Sequence, residues 1–85
     1  MAHYTLESLT AIMEKLRSDQ GCPWDREQAH QSLTRYLIEE AYEVIDAIEQ
    51  QDPQALAEEL GDVLLQIVFH AQIASENGQF TMDDV

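Results

Sequence analysis

Eighty-five residues with four Lys or Arg against seventeen Asp or Glu, a net charge of −13, leave room for one domain and no more. That balance argues against a nucleic-acid duplex or an anionic membrane as partner, since both require a positive surface; cations, or anions that arrive already carrying cations, fit better. A chain this short buries only about 60% of its unfolded surface, so it leans on a partner subunit or a ligand for stability.

The one cysteine, Cys22, excludes an intrachain disulfide and suits a reducing cytosol. Met1-Ala2-His3-Tyr4 lacks the basic start and apolar core of a signal peptide. The most apolar run, residues 63–74, is too short to span a bilayer and contains Gln66, His70 and Gln72. A cytoplasmic protein is expected, with His3 in a mobile terminus.

In chain order, Thr5 is placed to cap a first helix that carries Leu6, Leu9, Ile12, Met13 and Leu16 on one face, flanked by Lys15 and Arg17. This helix is expected to stop between Asp19 and Gly21, with Gly21 supplying a left-handed residue. Cys22-Pro23-Trp24-Asp25 reads as a tight loop. Asp25 with Gln28 resembles a capping box, which predicts a short helix from Arg26, and Ser32 is a candidate cap for the longer helix behind it. Along that helix Leu33, Leu37, Ala41, Val44 and Ile48 form one apolar stripe.

Gln51-Asp52-Pro53 reads as a turn, with Asp52 as cap and Pro53 as first residue of the next helix. Leu56, Leu60, Val63, Leu64, Ile67 and Ala71 form its stripe. Beyond Asp62 the helix is apolar on nearly every side, which implies burial on several sides. One short chain has too few other helices to cover it, so a homodimer or higher homo-oligomer is expected. Gly78 ends this helix. Thr81 with Asp84 is a further capping box that coincides with the chain's end at Val85. The expectation is therefore a single domain over residues 1–85, truncated at its C-terminal end or finished by a partner chain. No hairpin signal, repeat or low-complexity tract is present. The fold class expected is all-α, with antiparallel helices forming a four-helix-bundle-like core completed by homo-oligomerisation.

The chemistry lies in the acids of the two long helices. Glu39-Glu40-x-x-Glu43 precedes the turn and Glu59-x-x-Asp62 follows it, and residues three apart are neighbours on a helix surface. Glu40 falls inside the apolar stripe, between Ala47 and Leu33, with Glu43 at its edge. Glu59 sits beside the second stripe, and Asp62 projects between Phe69 and Ile73. A carboxylate withdrawn from water costs several kcal/mol unless it is paired or bound to a metal, and no Lys or Arg follows Arg35 on either helix. Two antiparallel helices would gather Glu40, Glu43, Glu59 and Asp62 into one cluster. Oxygen ligands without His or Cys select Mg2+ or Mn2+ over zinc or copper, and magnesium leaves positions for water and substrate phosphates. Such a site suits a metal-bound polyphosphate attacked in line by water.

Three segments carry a resemblance: Cys22-Pro23-Trp24-Asp25-x-x-Gln28; Tyr36-Leu37-x-Glu39-Glu40-Ala41-Tyr42-Glu43-Val44; and Glu58-Glu59-Leu60-Gly61-Asp62-x-Leu64-x-Gln66-x-x-Phe69-His70-Ala71. Together they resemble the MazG family of nucleoside triphosphate pyrophosphohydrolases, from about residue 9 to 80. The resemblance implies an all-α fold assembling through dimers, and Mg2+-dependent cleavage of a nucleoside triphosphate to monophosphate and pyrophosphate. It assigns Glu40, Glu43, Glu59 and Asp62 as metal ligands. It makes Glu39 the candidate catalytic acid that orients or deprotonates the attacking water.

Other residues keep two readings. Trp24 is either a stacking platform for a nucleobase or a core anchor for its loop. Lys15, Arg17, Arg26 and Arg35 are the only possible cationic phosphate contacts, Arg26 and Arg35 lying nearest the motifs; each also reads as solvated surface charge. His70 reads as a satisfied interface histidine rather than a ligand, His30 is ambiguous, and Cys22 reads as packed rather than nucleophilic. The competing function is a non-catalytic acidic helical dimerisation module. A di-iron bundle would require Glu-x-x-His ligands that these helices lack.

Overall fold

A computed structural model describes residues 4–85; His3 lies outside the described residues. They form four helices, α1 Leu6–Leu16, α2 Pro23–Glu27, α3 His30–Glu49 and α4 Pro53–Glu76, and among the described residues there is no strand. The expected all-α class holds.

Thr5 caps α1: its hydroxyl accepts from the Ser8 amide at 3.1 Å while Ser8 Oγ accepts from the Thr5 amide at 2.8 Å. The helix ends at Leu16 with Arg17 as cap, earlier than the Asp19–Gly21 expected. Gly21 is not left-handed; among glycines only Gly78 has positive φ. The need for glycine at 21 is steric instead, because a Cβ there would collide with the carbonyl oxygens of Leu16 and Lys15. The short helix also starts earlier than expected, at Pro23 rather than Arg26, since a proline at the first helical position has no amide to leave unbonded. Asp25 consequently lies within α2 instead of capping it. Ser32 is the third residue of α3, not its cap; Ala29 holds the cap position, and Ser32 Oγ accepts from the Ala29 amide at 2.9 Å.

The turn between the long helices is built as the sequence predicts at its start, with Asp52 Oδ1 accepting from the Ala55 amide at 3.1 Å and Pro53 opening α4. Both long helices end in the same motif. Gln79 and Gly78 amides donate to the Ala74 and Ser75 carbonyls, and Asp52 and Gln51 amides donate to those of Ala47 and Ile48. This pattern needs a left-handed residue; Gly78 supplies it after α4 (φ 68°), but after α3 the position falls to Gln51 (φ 54°).

α3 runs antiparallel to α4, with Glu43 beside Glu59 near the turn and His30 against His70 at the far end. α1 packs on α4 as well. The core is small: Met13, Leu33, Val68, Phe69 and Ile73 are buried together, with Leu9, Leu64 and Met82 against them. Burying a side chain such as Leu33 or Val68 stabilises by roughly 2–3 kcal/mol, and only a few do so. The stripe expected on α3 is only partly covered. Leu33 and Ala47 are buried and Val44 half-buried, but Leu37, Ala41 and Ile48 are exposed. On α4 the all-round apolar segment is buried chiefly over residues 68–74, whereas Leu60, Leu65 and Ile67 remain exposed. Among the described residues no helix is long and apolar enough to cross a membrane.

Candidate metal centre

The turn at Gln51-Asp52-Pro53 places the Glu39–Glu43 turn of α3 level with the Glu59–Asp62 turn of α4. Each of Glu40, Glu43, Glu59 and Asp62 offers one carboxylate oxygen, and these four atoms lie within 4.8 Å of one another. The helical wheel explains the convergence. Leu33 and Ala47 point into the α3–α4 seam, and Glu40, seven residues from each, shares their face. Glu40 and Glu59 are half-buried and Glu43 and Asp62 exposed. The half-buried acid on α4 is thus Glu59, at the level of the seam, while Asp62 closes the cluster from the solvent side.

No base answers these acids. Glu40 Oε2 and Glu59 Oε2 are buried without a hydrogen-bond partner. Burial, then the charges of Glu43 and Asp62, push the Glu40 carboxyl up from its ordinary value. Glu59 is pushed up to about 7, first because the nearby Glu43 carboxyl favours a shared proton, then by desolvation and by the charges of Glu43, Asp62 and Glu40. Carboxylates brought this close disfavour one another's charged forms, and a cation among them would favour those forms.

The spacing fits a hard cation. Opposite ligands of an octahedral Mg2+ at about 2.1 Å stand roughly 4.2 Å apart, and for Ca2+ at about 2.4 Å roughly 4.8 Å; oxygens within 4.8 Å of one another match the larger ion and need to close by about half an ångström on the smaller. Four carboxylates, two of them carrying an orphaned oxygen, therefore form a donor set that fits a divalent metal. Glu39 lies outside the cluster and is exposed on α3.

Around this centre the other candidates fall unevenly. Trp24 remains half open (48% exposed) and stands edge-on to Tyr36 (6.0 Å, 78°) and Phe69 (6.4 Å, 86°); both readings of it, anchor and open platform, are present in one side chain. Arg26 is exposed and lies 3.6 Å from Asp19, and Arg35 and Lys15 are exposed. Arg17 is the correction. It is not a surface charge or a free phosphate contact, because its side chain is 7% exposed and forks onto Glu76 from Nε (2.9 Å) and Nη2 (3.1 Å). The Arg17 pair holds Glu76 below the usual carboxylate range.

His70 pairs within the chain on one side only, its Nε2 being buried without a partner rather than satisfied as expected. Its Nδ1 lies 2.8 Å from His30 Nδ1, the rings stacked at 5.0 Å, and burial followed by the His30 charge lowers its pKa. The sequence reading missed the Arg17 and His30–His70 contacts. Their partners stand 59 and 40 residues away, and no local spacing signals them. Cys22 is a free, half-buried thiol at the start of α2.

Fold and site define a class: an all-α domain whose paired long helices present four carboxylates at the spacing of a hard cation's ligands. The MazG nucleotide pyrophosphohydrolase domain profile matches residues 28–85, a span that includes all four. Over 79 residues, 93% of this chain, the sequence is 63% identical to a Thermotoga maritima protein named nucleoside triphosphate pyrophosphohydrolase/pyrophosphatase MazG, of which it covers 31%. It is 47% identical over 81 residues to the nucleoside triphosphate pyrophosphohydrolase of Escherichia coli K12, again covering 31% of that protein. An uncharacterized Bacillus subtilis protein, YabN, is 48% identical over 85 residues and is covered to 17%. The chain belongs to the MazG nucleotide pyrophosphohydrolase domain family, and it spans less than a third of the length of these relatives.

Proposed function

We propose that the chain is a Mg2+-dependent nucleoside triphosphate pyrophosphohydrolase domain, taking ribo- or deoxyribonucleotides to the monophosphate and pyrophosphate, in a cytoplasmic housecleaning role. The observation that carries this reading is the four-carboxylate cluster with two orphaned oxygens; the names of the relatives support the reaction. Glu40, Glu43, Glu59 and Asp62 would hold the metal, Mn2+ serving as a substitute. Bound Mg2+ supplies positive charge that neutralises the phosphate oxygens as the bond between the α and β phosphates breaks. Glu39 orients the attacking water and takes its proton, the pyrophosphate departing with the bridging oxygen. An exposed acid beside the cluster suits that role, because solvent and substrate can reach it. Trp24 offers its open face to the base, with Arg26 and Arg35 as further phosphate contacts.

The chain works as a homodimer or higher homo-oligomer in this proposal. Tyr42 (65% exposed), Ile38, Ile45 and Ile48 (56%) on α3 and Leu60 (50%) on α4 leave an apolar surface uncovered, of the kind that marks an interface. A second copy would also complete the bundle-like core that one chain over residues 1–85 leaves half built. The same surface is what favours the alternative, a non-catalytic acidic dimerisation module.

The two separate on one assay. The purified chain, mixed with a nucleotide panel and Mg2+, releases pyrophosphate, and Glu40→Gln removes that activity. Pyrophosphate release that is unchanged in the variant defeats the site assignment, and none from the wild type favours the dimerisation module.

A further inference from the structure

Among the described residues Arg17 has the most side-chain hydrogen bonds, and two of its four tie down α2 and the residue that caps it, a segment that little else holds. α2 has five residues, no buried side chain and no side-chain cap at Cys22. Arg17 Nη1 donates to the carbonyls of Asp25 and Gln28 (3.1 Å for the latter). These lie at the centre of α2 and in the connection to α3. The other edge of the guanidinium is fixed on Glu76 of α4, and its Cζ lies 5.7 Å from the centre of the Phe69 ring. Trp24, the second residue of α2, stands roughly perpendicular to that same ring and to Tyr36. Tyr36 precedes Glu40 by one helical turn and Phe69 follows Asp62 by two, so Trp24 sits along the seam from the carboxylates.

We propose that Arg17 is a positioning residue: its two carbonyl bonds set α2, and with it the half-exposed indole of Trp24, at a fixed place along the seam from the carboxylate cluster. The proposal rests on the pyrophosphohydrolase reading of that cluster. Arg17 touches neither substrate nor metal and acts through Trp24. Only a planar guanidinium meets this set of partners. A lysine ammonium is a single point charge, and it cannot fork onto a carboxylate while donating to two carbonyls on its other side.

The chain has one tryptophan, so its fluorescence reports on Trp24 alone. In Arg17→Lys, KM for the nucleotide rises about tenfold while kcat stays within about twofold, the pattern of a lost stacking contact made equally in ground and transition states. Without any substrate, Trp24 emission shifts to the red and acrylamide quenches it more strongly. Glu76→Gln is the control, since it weakens the fork but leaves both carbonyl bonds: its melting temperature falls while KM and emission stay at wild-type values. The inference is overturned if Arg17→Lys keeps wild-type emission and KM, or if Glu76→Gln alone moves either of them. A wild-type chain with no activity counts against the pyrophosphohydrolase reading instead, and the emission of the two variants still decides whether Arg17 holds Trp24.

Discussion

The two ends of the α3–α4 pair treat charge in opposite ways. At the end away from the turn, Arg17 bonds Glu76 and the carbonyls of Asp25 and Gln28, and the two histidines share one hydrogen bond, although His70 Nε2 stays buried without a partner. At the end near the turn, four acids face each other with no base among them, and two oxygens are buried without partners. Both ends take polar groups partly out of water, which is unfavourable unless each group finds a partner. The first end is largely satisfied by partners within the chain. The second gathers like charges, a donor set that a cation would answer. Polar groups that a chain satisfies by itself serve its stability, while like charges gathered at one place point to what it could bind.

Substitutions at the two ends should therefore have opposite signs. The largest effect is expected at the acidic end in the presence of metal: Glu40→Gln lowers the rate of pyrophosphate release by at least about a hundredfold, since removing a ligand removes charge stabilisation where it is needed most. The next is at the other end. Arg17→Met leaves Glu76 and two carbonyls without their donor and costs about 2 kcal/mol in a urea titration, the exposure of Glu76 keeping the loss below that of a fully buried pair. Without metal, Glu40→Gln should raise the melting temperature by about 3 °C, because it relieves repulsion in the cluster. Equal destabilisation by both substitutions in chelator would erase the contrast between the ends. The smallest effect lies outside both. Gln51, left-handed after α3, should become more stable by roughly 0.5–1 kcal/mol as glycine, measured by the same titration.

The internally paired end was hard to read in the sequence and the acidic end easy, for a physical reason. Glu40, Glu43, Glu59 and Asp62 announce themselves by local spacing: three-residue steps on two helices whose start, at Asp52-Pro53, is also local. Thr5 and Gly78 were legible for the same reason. Arg17 was not, because two of its four bonds are to backbone carbonyls, which carry no residue identity, and its carboxylate partner is at the far end of the chain. The same distance hid His30 against His70. The boundaries of α1 and α2 were misjudged because Gly21 serves a close approach to the end of α1 rather than a left-handed turn. The stripe of Leu37, Ala41 and Ile48 was read correctly as apolar, yet a sequence pattern cannot say whether the chain itself or another copy covers it.

The most direct test of the carboxylate cluster as a cation site is the melting temperature followed across pH, in chelator and in Mg2+. Glu59 is raised from 4.5 to about 7 and Glu40 is raised as well, so between those values the folded chain binds more protons than the unfolded one. The cluster's contribution to stability must then fall as pH rises through this window, opposed by the smaller contribution of His70, whose lowered value makes the folded chain bind fewer protons near its ordinary range. In chelator the account predicts a melting temperature that declines from pH 5 to pH 8 by about 3–6 °C. In Mg2+ it predicts a higher and nearly level curve at neutral and alkaline pH, because the metal replaces the protons and binds only the folded state. Two parallel curves, falling alike with and without Mg2+, would contradict it.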